Sequence, residues 1–103
     1  MRPTSVTVTD VQNSAWIPVD YTRTNFNLGI MVDVLSGTPT WVIQLTMDDI
    51  YDATITPTAV AAPAPLETGT TDEVGSVTIP CRAIRISNSG TGVSRLTIIQ
   101  GRG

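Results

Sequence analysis

The sequence predicts an all-β protein, an antiparallel β-sandwich for which a jelly-roll topology is one option. Thr, Val and Ile contribute 17, 11 and 10 of the 103 residues, and β-branched side chains suit a half-buried sheet better than a helix interior. Apolar and polar residues alternate along several segments, whereas no segment combines helical spacing of apolar residues with capping signals. The length of 103 residues predicts a single domain over residues 1–103.

The first fifth of the chain predicts two short strands. Apolar and polar residues alternate over residues 5–9 and again over residues 17–21. Pro18 lacks the N–H group that a central strand would use, so we expect an edge strand or a break there. The residues before this point lack the apolar run of a signal peptide, which favours synthesis in a cytoplasm.

Strict alternation predicts two long strands, at residues 25–35 and 40–48. Even-numbered apolar residues from Phe26 onward share one face of the first strand, and odd-numbered ones from Trp41 onward share one face of the second. Trp41 is therefore expected in the core. Because only the turn-forming residues 36–39 separate the strands, we expect them to pair as a hairpin.

Residues 52–75 interrupt the alternation with three prolines and many Ala, Thr and Gly residues. This composition predicts an extended, partly polyproline-like connection, and connections of this length are uncommon in compact domains. Two interpretations stay open. The segment is either a mobile surface loop or an arm that lies on a neighbouring subunit, with Ile55, Val60 and Leu66 as its apolar anchors. If it is an arm, residues 58–68 could be deleted without unfolding the domain.

The C-terminal quarter returns to alternation, but its apolar residues change phase. They occupy odd positions up to Cys81 and even positions from Ile84 onward. A regular strand cannot change phase without turning its side chains to the wrong face, so we expect a bulge or break near residues 80–82. The turn sequence at residues 88–92 predicts a further hairpin, which leads into a last strand at residues 95–100.

The composition excludes several kinds of chemistry. The chain has no His, no Lys and one Cys, which rules out imidazole-based triads, His-ligated metal sites, multi-cysteine zinc sites and an intramolecular disulfide. We therefore expect no enzymatic activity, no cofactor and no metal. A net charge of −3 and a pI near 4.5 argue against binding to nucleic acid or to an anionic membrane. No stretch approaches the roughly 18 apolar residues of a membrane span.

Acidic residues are most concentrated at Asp48, Asp49 and Asp52. Clustered carboxylates can hold Ca²⁺ or Mg²⁺, but acids at the end of a strand are also typical of Asx turns. The sequence lacks the spacing of an EF-hand, so the turn interpretation is favoured over an ion site. Cys81 lies in the apolar phase and is expected to be an inert, buried thiol.

Two kinds of side chain are candidates for contacts with a partner. Aromatic side chains could line a sugar-binding or receptor-binding face, and the candidates are Trp16, Tyr21 and Tyr51. All six positive charges are Arg, whose planar guanidinium is favoured at protein interfaces. Arg82 and Arg85 are the candidates of this kind.

Two parts of the sequence resemble small virion structural proteins of tailed bacteriophages. Residues 37–49 (GTPTWVIQLTMDD) are similar to a hairpin of these proteins. Residues 80–86 (PCRAIRI), followed by Gly90 and by residues 96–101 (LTIIQG), are similar to their C-terminal part. The resemblance implies a capsid-associated or tail-associated structural protein that is present in many copies, and it implies no catalytic residue.

These observations lead to three hypotheses about function. The first is a capsid decoration or cement protein that stabilises a virion through sandwich and arm contacts, with other virion proteins and further copies of itself as partners. A head-to-tail connector, a collar protein or a fibre-attachment protein is the alternative within this class. The second hypothesis is a carbohydrate-binding or receptor-binding module, which needs two or more aromatic side chains exposed on one face. The third, an enzyme that uses carboxylates, has the least support.

Overall fold

The protein is composed of β-strands joined by turns and loops. A computed structural model describes residues 4–22 and 26–100, and these two ranges contain no helix. The strands are β1 (Thr4–Thr9), β2 (Gln12–Asn13), β3 (Ile17–Pro18), β4 (Leu28–Gly37), β5 (Thr40–Thr46), β6 (Val60–Ala61), β7 (Glu73–Val77), β8 (Ala83–Ser89) and β9 (Gly92–Gln100). The predicted all-β class is confirmed. Asn25, the predicted first residue of a long strand, lies outside the described residues.

The strands form two antiparallel sheets that pack face to face. Sheet I has the order β1-β9-β4-β7, and sheet II has the order β2-β8-β5-β6, with β3 also paired to β8. All pairings are antiparallel. The chain passes from one sheet to the other at most of its connections, and this strand order is that of a jelly roll. The predicted β-sandwich is confirmed.

The centre of the fold is a two-stranded ribbon that is folded over on itself. One chain segment of the ribbon is β4 followed by β5, and the other is β8 followed by β9. The register of the two segments is the same on both sides of the corner between the sheets: Gly37 lies opposite Gly92 in sheet I, and Thr40 lies opposite Ser89 in sheet II. The two sheets therefore contain the two halves of one long ribbon.

Glycines allow the ribbon to bend at this corner. Gly37 has a φ of 71° and Gly92 has a φ of 148°, a region that disfavours residues with a Cβ atom. A Cβ atom on Gly92 would collide with the carbonyl oxygen of Ser36 and would lie 2.6 Å from Cδ of Pro39. The backbones at the corner thus approach too closely for any side chain at this position.

The outer strands follow the same bend. On one side of the ribbon, β1 pairs with β9, and β2 and β3 pair with β8. On the other side, β6 pairs with β5, and β7 pairs with β4. At the corner, the amide of Asp10 donates to the carbonyl of Gly92 at 2.7 Å, and the Asp10 carboxylate accepts the Gly92 amide at 3.0 Å. The buried Asn88 side chain donates to the carbonyl of Asp10 at 2.8 Å and accepts the hydroxyl of Ser94 at 2.9 Å.

The predicted hairpin between the two long strands is wrong. β4 pairs with β7 and β9 in sheet I, whereas β5 pairs with β6 and β8 in sheet II. The predicted hairpin at residues 88–92 is wrong for the same reason, because β8 and β9 also lie in different sheets. Each of these two turns carries the chain around the corner, and β4 and β5 pair with β9 and β8, which are distant in the sequence.

The apolar faces predicted from alternation form the core between the sheets. The buried apolar residues include Leu28, Ile30 and Val32 of β4, Trp41 and Ile43 of β5, Ile84 and Ile86 of β8, and Leu96 and Ile98 of β9. Met47 was expected to continue the buried face of β5, but it is exposed because the strand ends at Thr46. The predicted burial of Trp41 is confirmed.

Residues 52–75 are not one extended connection. They include β6 and the beginning of β7, which pair with β5 and β4. Leu66 is 0% exposed and belongs to the core of its own chain, and its carbonyl accepts the amide of Ile43 at 3.1 Å. The expectation that Leu66 anchors an arm on a neighbour is therefore wrong, and residues 58–68 are part of the sandwich.

The predicted break near residues 80–82 is confirmed. β7 ends at Val77 in sheet I and β8 begins at Ala83 in sheet II. The chain crosses between the sheets in this interval, which is why the apolar phase changes. Cys81 is buried within the crossing.

Candidate interaction surfaces

The surface carries many large apolar side chains for a chain of this length. Among the described residues, those that are exposed are Val11, Tyr21, Met31, Leu35, Met47, Tyr51, Ile55, Val60, Val74, Ile79 and Ile99. Single exposed apolar residues need no explanation, but contiguous patches usually mark interaction sites. Eight of these eleven side chains line one of three concave regions.

The first region is an apolar groove at the edge of sheet II, with a volume of about 290 Å³. β6 forms this edge and has only two residues. The groove is lined by Leu45, Thr46, Met47, Val60, Ala61, Pro63 and Ile79. We call it the β6 groove. Its exposed apolar side chains make it suited to contact with another protein surface.

The second region is an apolar patch on the outer face of sheet I. Met31 of β4 lies directly opposite Val74 of β7, and Ile99 of β9 lies opposite Gly29 of β4. Because Gly29 has no side chain, a depression of about 240 Å³ remains between the exposed side chains of Met31, Val74 and Ile99. We call this region the sheet I patch.

The third region is a cleft of about 190 Å³ that two tyrosines line. Tyr21 comes from the loop after β3 and Tyr51 from the loop after β5. Between the two loops, the guanidinium of Arg82 lies 5.3 Å from the ring centroid of Tyr21, and its Nη1 lies 3.8 Å from Oδ2 of Asp49. The cleft thus combines two aromatic rings with a cation and an anion. It is lined by Pro18, Val19, Tyr21, Asp49, Ile50, Tyr51 and Arg82. We call it the tyrosine cleft.

Hydrogen bonds hold the Tyr21 side of this tyrosine cleft in place. The side chain of the buried Gln100, at the end of β9, accepts the amide of Asp20 at 2.9 Å and donates to the carbonyl of the same residue at 2.6 Å. The carboxylate of Asp20 in turn accepts the amide and the hydroxyl of Thr22 at 3.1 and 2.6 Å. Tyr21 therefore lies between two anchored residues.

The other residues of the cleft are also positioned by their backbones. Oδ1 of Asp49 accepts the amide of Tyr51 at 2.9 Å, an Asx turn that leaves Oδ2 toward Arg82. The amide of Arg82 donates to the carbonyl of Thr46 at 2.9 Å, and its carbonyl accepts the amide of Val19 at 3.1 Å. These bonds tie the two loops and the start of β8 into one unit.

The third aromatic candidate, Trp16, is half-buried and does not join this cleft. The guanidinium of Arg85 lies 4.4 Å from its ring centroid, and Nε of Arg85 donates to Oε1 of Gln44 at 2.7 Å. Partial burial of Arg85 lowers the pKa of its guanidinium. This arrangement stabilises the surface of sheet II and covers the indole ring, so it offers less to a ligand than the cleft does.

The acidic cluster forms turns, as the sequence favoured. Oδ2 of Asp48 accepts the amide of Thr58 at 2.7 Å. Oδ1 of Asp52 accepts the hydroxyl and the amide of Thr54 at 2.6 and 2.9 Å, and these bonds, the hydroxyl first, hold the pKa of Asp52 below its ordinary value. Across the described part of the chain, no group of three or more acidic or cysteine side chains is arranged to hold a metal ion.

Cys81 is confirmed as a buried thiol. Burial raises its pKa to about 11. A thiol with this pKa carries almost no thiolate near neutral pH, and the thiolate is the nucleophilic form.

The predicted contact residues lie in different places. Val60 lines the β6 groove, Arg82 lines the tyrosine cleft and Arg85 packs on Trp16. Ile55 is exposed in the loop before β6, and Leu66 is in the core.

The sheet I patch was not predicted, although the sequence contains a signal for it. Met31 and Ile99 are large apolar residues at positions that alternate with the buried face. Apolar residues on the polar sides of strands indicate an exposed contact surface when they form a contiguous patch. Met31 and Ile99 lie next to Val74 because of the strand order in sheet I. The local sequence pattern does not predict that order.

Fold and surfaces together define a small jelly-roll β-sandwich with separate apolar and aromatic recesses. Neither a protein-family model nor a curated protein sequence matches the chain. Within residues 4–22 and 26–100, no helix is long and apolar enough to cross a membrane.

Proposed function

We propose that the chain is a non-enzymatic structural component of a bacteriophage virion, a decoration protein that binds the capsid and stabilises it. The observation that carries the proposal is the presence of two apolar surfaces on different sheets, the β6 groove and the sheet I patch. A protein that links neighbouring subunits of a particle has to contact two partners at once. Two separate exposed apolar surfaces supply those two contacts.

The resemblance to small virion proteins is consistent with this proposal. Its two parts lie far apart in the sequence, yet residues 40–46 pair directly with residues 83–89. The strands within the similar segments, which are β5 and parts of β8 and β9, therefore belong to one structural unit, the folded ribbon. The absence of His and Lys from the sequence also leaves few groups for catalysis.

We further propose that the protein acts as a homo-oligomer in the virion, after synthesis in the host cytoplasm. Oligomers of small proteins are usually symmetric, and symmetric copies would place their apolar surfaces at regular intervals on a particle. A connector, collar or fibre-attachment protein would use the same surfaces in fewer copies. Copy number and position on the particle therefore distinguish the alternatives within this class.

The test begins with the mass of the purified protein in solution, followed by sedimentation with particles of the phage whose genome encodes it. Labelling with a specific antibody and electron microscopy give its position and copy number. We expect an oligomer in solution and regular labelling over the capsid surface. A protein that stays monomeric at high concentration and never sediments with particles would refute the proposal.

Three substitutions test the proposed surfaces. Val60→Asp places a charge in the β6 groove, and Val74→Asp places one in the sheet I patch, so each is expected to lower incorporation at least tenfold. Val11→Asp is the matched control, because Val11 is the most exposed large apolar residue described and lines none of the three regions. If both charged variants are incorporated like the control, the two surfaces are not the contacts.

A further inference from the structure

We propose that the tyrosine cleft binds one neutral sugar ring of a polysaccharide. The proposal goes beyond a structural role in a particle and does not depend on it. A particle component with such a site would bring the particle into contact with a carbohydrate surface.

The aromatic side chains of the cleft match the apolar face of a sugar ring. Tyr51 is 78% exposed and Tyr21 is 48% exposed, so both retain ring surface that a ligand can cover. The C–H groups on one face of a pyranose pack well on an aromatic ring, because the ring is large, rigid and apolar with a negative face. Tyrosine side chains also lose little conformational entropy on binding.

The charged groups match the hydroxyl groups of a sugar. A sugar hydroxyl both donates and accepts hydrogen bonds, a guanidinium only donates, and a carboxylate only accepts. Arg82 and Asp49 lie 3.8 Å apart and are both about half exposed, so adjacent hydroxyl groups could contact both at once. Hydrogen bonds to charged groups are stronger than those between neutral groups.

The charge around the cleft favours a neutral sugar over an acidic one. Arg82 already faces the carboxylate of Asp49. The amide of Asp52 donates to the carbonyl of Asp49 and closes the turn that contains Tyr51. Asp48 lies at its start, and the formal net charge of the chain is −3. A carboxylate on the ligand would have to displace Asp49 from Arg82, in a chain whose net charge is already negative.

The size and rigidity of the cleft fit a single ring. Its volume of about 190 Å³ is below the range of roughly 300–1,000 Å³ that is typical of sites for drug-sized ligands. The side chain of Gln100 accepts from and donates to the backbone of Asp20, and the carboxylate of Asp49 accepts the amide of Tyr51, so both tyrosine loops are held before any ligand binds. A site formed in advance loses less ordering entropy when it binds.

The test is a titration followed by amide chemical shifts in NMR spectra. The probes are the methyl glycosides of glucose, galactose, mannose and N-acetylglucosamine, with galacturonate as the acidic comparison. We expect at least one neutral glycoside to bind with a dissociation constant on the order of 1 mM. The shifts should change at the cleft residues, chiefly Tyr21, Ile50, Tyr51 and Arg82.

Substitutions separate stacking from the other contributions. Tyr51→Ala is expected to weaken binding at least tenfold, Arg82→Gln to weaken it severalfold, and Tyr51→Phe to preserve most of it, because the ring remains. Ile55→Ala is the matched control, since Ile55 is exposed in the same loop and does not line the cleft. Unchanged circular dichroism establishes that the variants are folded.

Three outcomes would overturn the proposal. One is that no neutral glycoside changes the shifts of the cleft residues. Another is that only galacturonate does so, and the third is that Tyr51→Ala binds as tightly as Ile55→Ala. Incorporation into particles is measured separately, so failure of either proposal leaves the other standing.

Discussion

Replacement of Leu66 by Ala tests whether its part of residues 52–75 belongs to the core or to a detachable arm. The side chain of Leu66 is completely buried, and its atoms would lie 3.2–3.4 Å from a Cβ atom built on Gly75. The space that Leu66→Ala vacates therefore adjoins a glycine, which has no side chain to move into it.

The expected loss of stability follows from burial and from the cavity. Leu→Ala substitutions in well-packed cores cost about 2.7–5.0 kcal/mol, and the cost rises with the cavity that remains. Because Gly75 cannot fill the space, we expect a loss of about 3–4 kcal/mol for Leu66→Ala. This is a large part of the roughly 5–15 kcal/mol that stabilises an ordinary domain.

Urea unfolding, followed by tryptophan fluorescence, measures this loss as a shift of the midpoint. Val60→Ala is the matched control, because Val60 belongs to the same segment but is 60% exposed. It should cost less than about 1 kcal/mol. If Leu66→Ala costs no more than Val60→Ala, the segment is not part of the core and the arm interpretation is restored.

Three further predictions concern the corner and the thiol. Gly92→Ala should cost more than about 2 kcal/mol in urea unfolding, because of its positive φ and the close backbone, whereas Gly29→Ala, with 3.5 Å to its nearest neighbour, should cost less than about 1 kcal/mol. Asn88→Ala should cost about 1–3 kcal/mol, since it leaves the buried Ser94 hydroxyl without its acceptor; a neutral result would refute the role of this network. Because burial raises the pKa of Cys81 to about 11 in the folded state, from an ordinary value of 9.0, the unfolded thiol loses its proton first. The contribution of this thiol to stability should therefore be constant below pH 9.0 and be lost between there and about 11. Cys81→Ala should remove this loss, and an identical pH profile for both proteins would contradict it.

The alternation of apolar residues predicted the strands and their buried faces because those features depend only on neighbouring residues. In β4 and β9, successive side chains must point to opposite faces of a sheet, so Ile30 or Ile98 on the inner side implies Met31 or Ile99 on the outer side. The same reasoning located the break near residues 80–82, which lies within the crossing between β7 and β8, since a phase change requires a change of sheet or a bulge. These inferences needed no knowledge of strand order.

Partners of the strands could not be predicted in this way. A glycine-containing turn such as residues 36–39 fits a hairpin, but it also fits a corner that carries the chain to the opposite sheet. Whether the turn forms a hairpin or a corner depends on Gly92, which lies more than fifty residues away in the sequence and packs closely against residues 36–39. β6 was missed because it has two residues and because Pro, Ala and Gly dominate around it. The first residues of β7 were assigned to the same irregular segment, whereas the alternation from Gly75 onward was recognised.

The residues of the candidate surfaces could be predicted from the local sequence, but their arrangement depends on contacts between residues that are distant in the chain. The exposed aromatic residues Tyr21 and Tyr51 could be named from the sequence, but the cleft exists only because Arg82 and Gln100 bring their loops together. Each of these contacts joins residues that are more than about thirty positions apart in the chain.

The folded ribbon also explains how so short a chain can present several surfaces. Because one ribbon supplies the centre of both sheets, the inner faces of its two halves bury each other and need no further element to cover them. The outer faces, the edge at β6 and the loops that join the sheets are then free to differ in chemistry. Met31, Val74 and Ile99 make one of them apolar, while Tyr51 and Arg82 make another aromatic and polar. Changes at these positions alter contacts without touching the core, so the two proposals can be tested by surface substitutions that leave the fold intact.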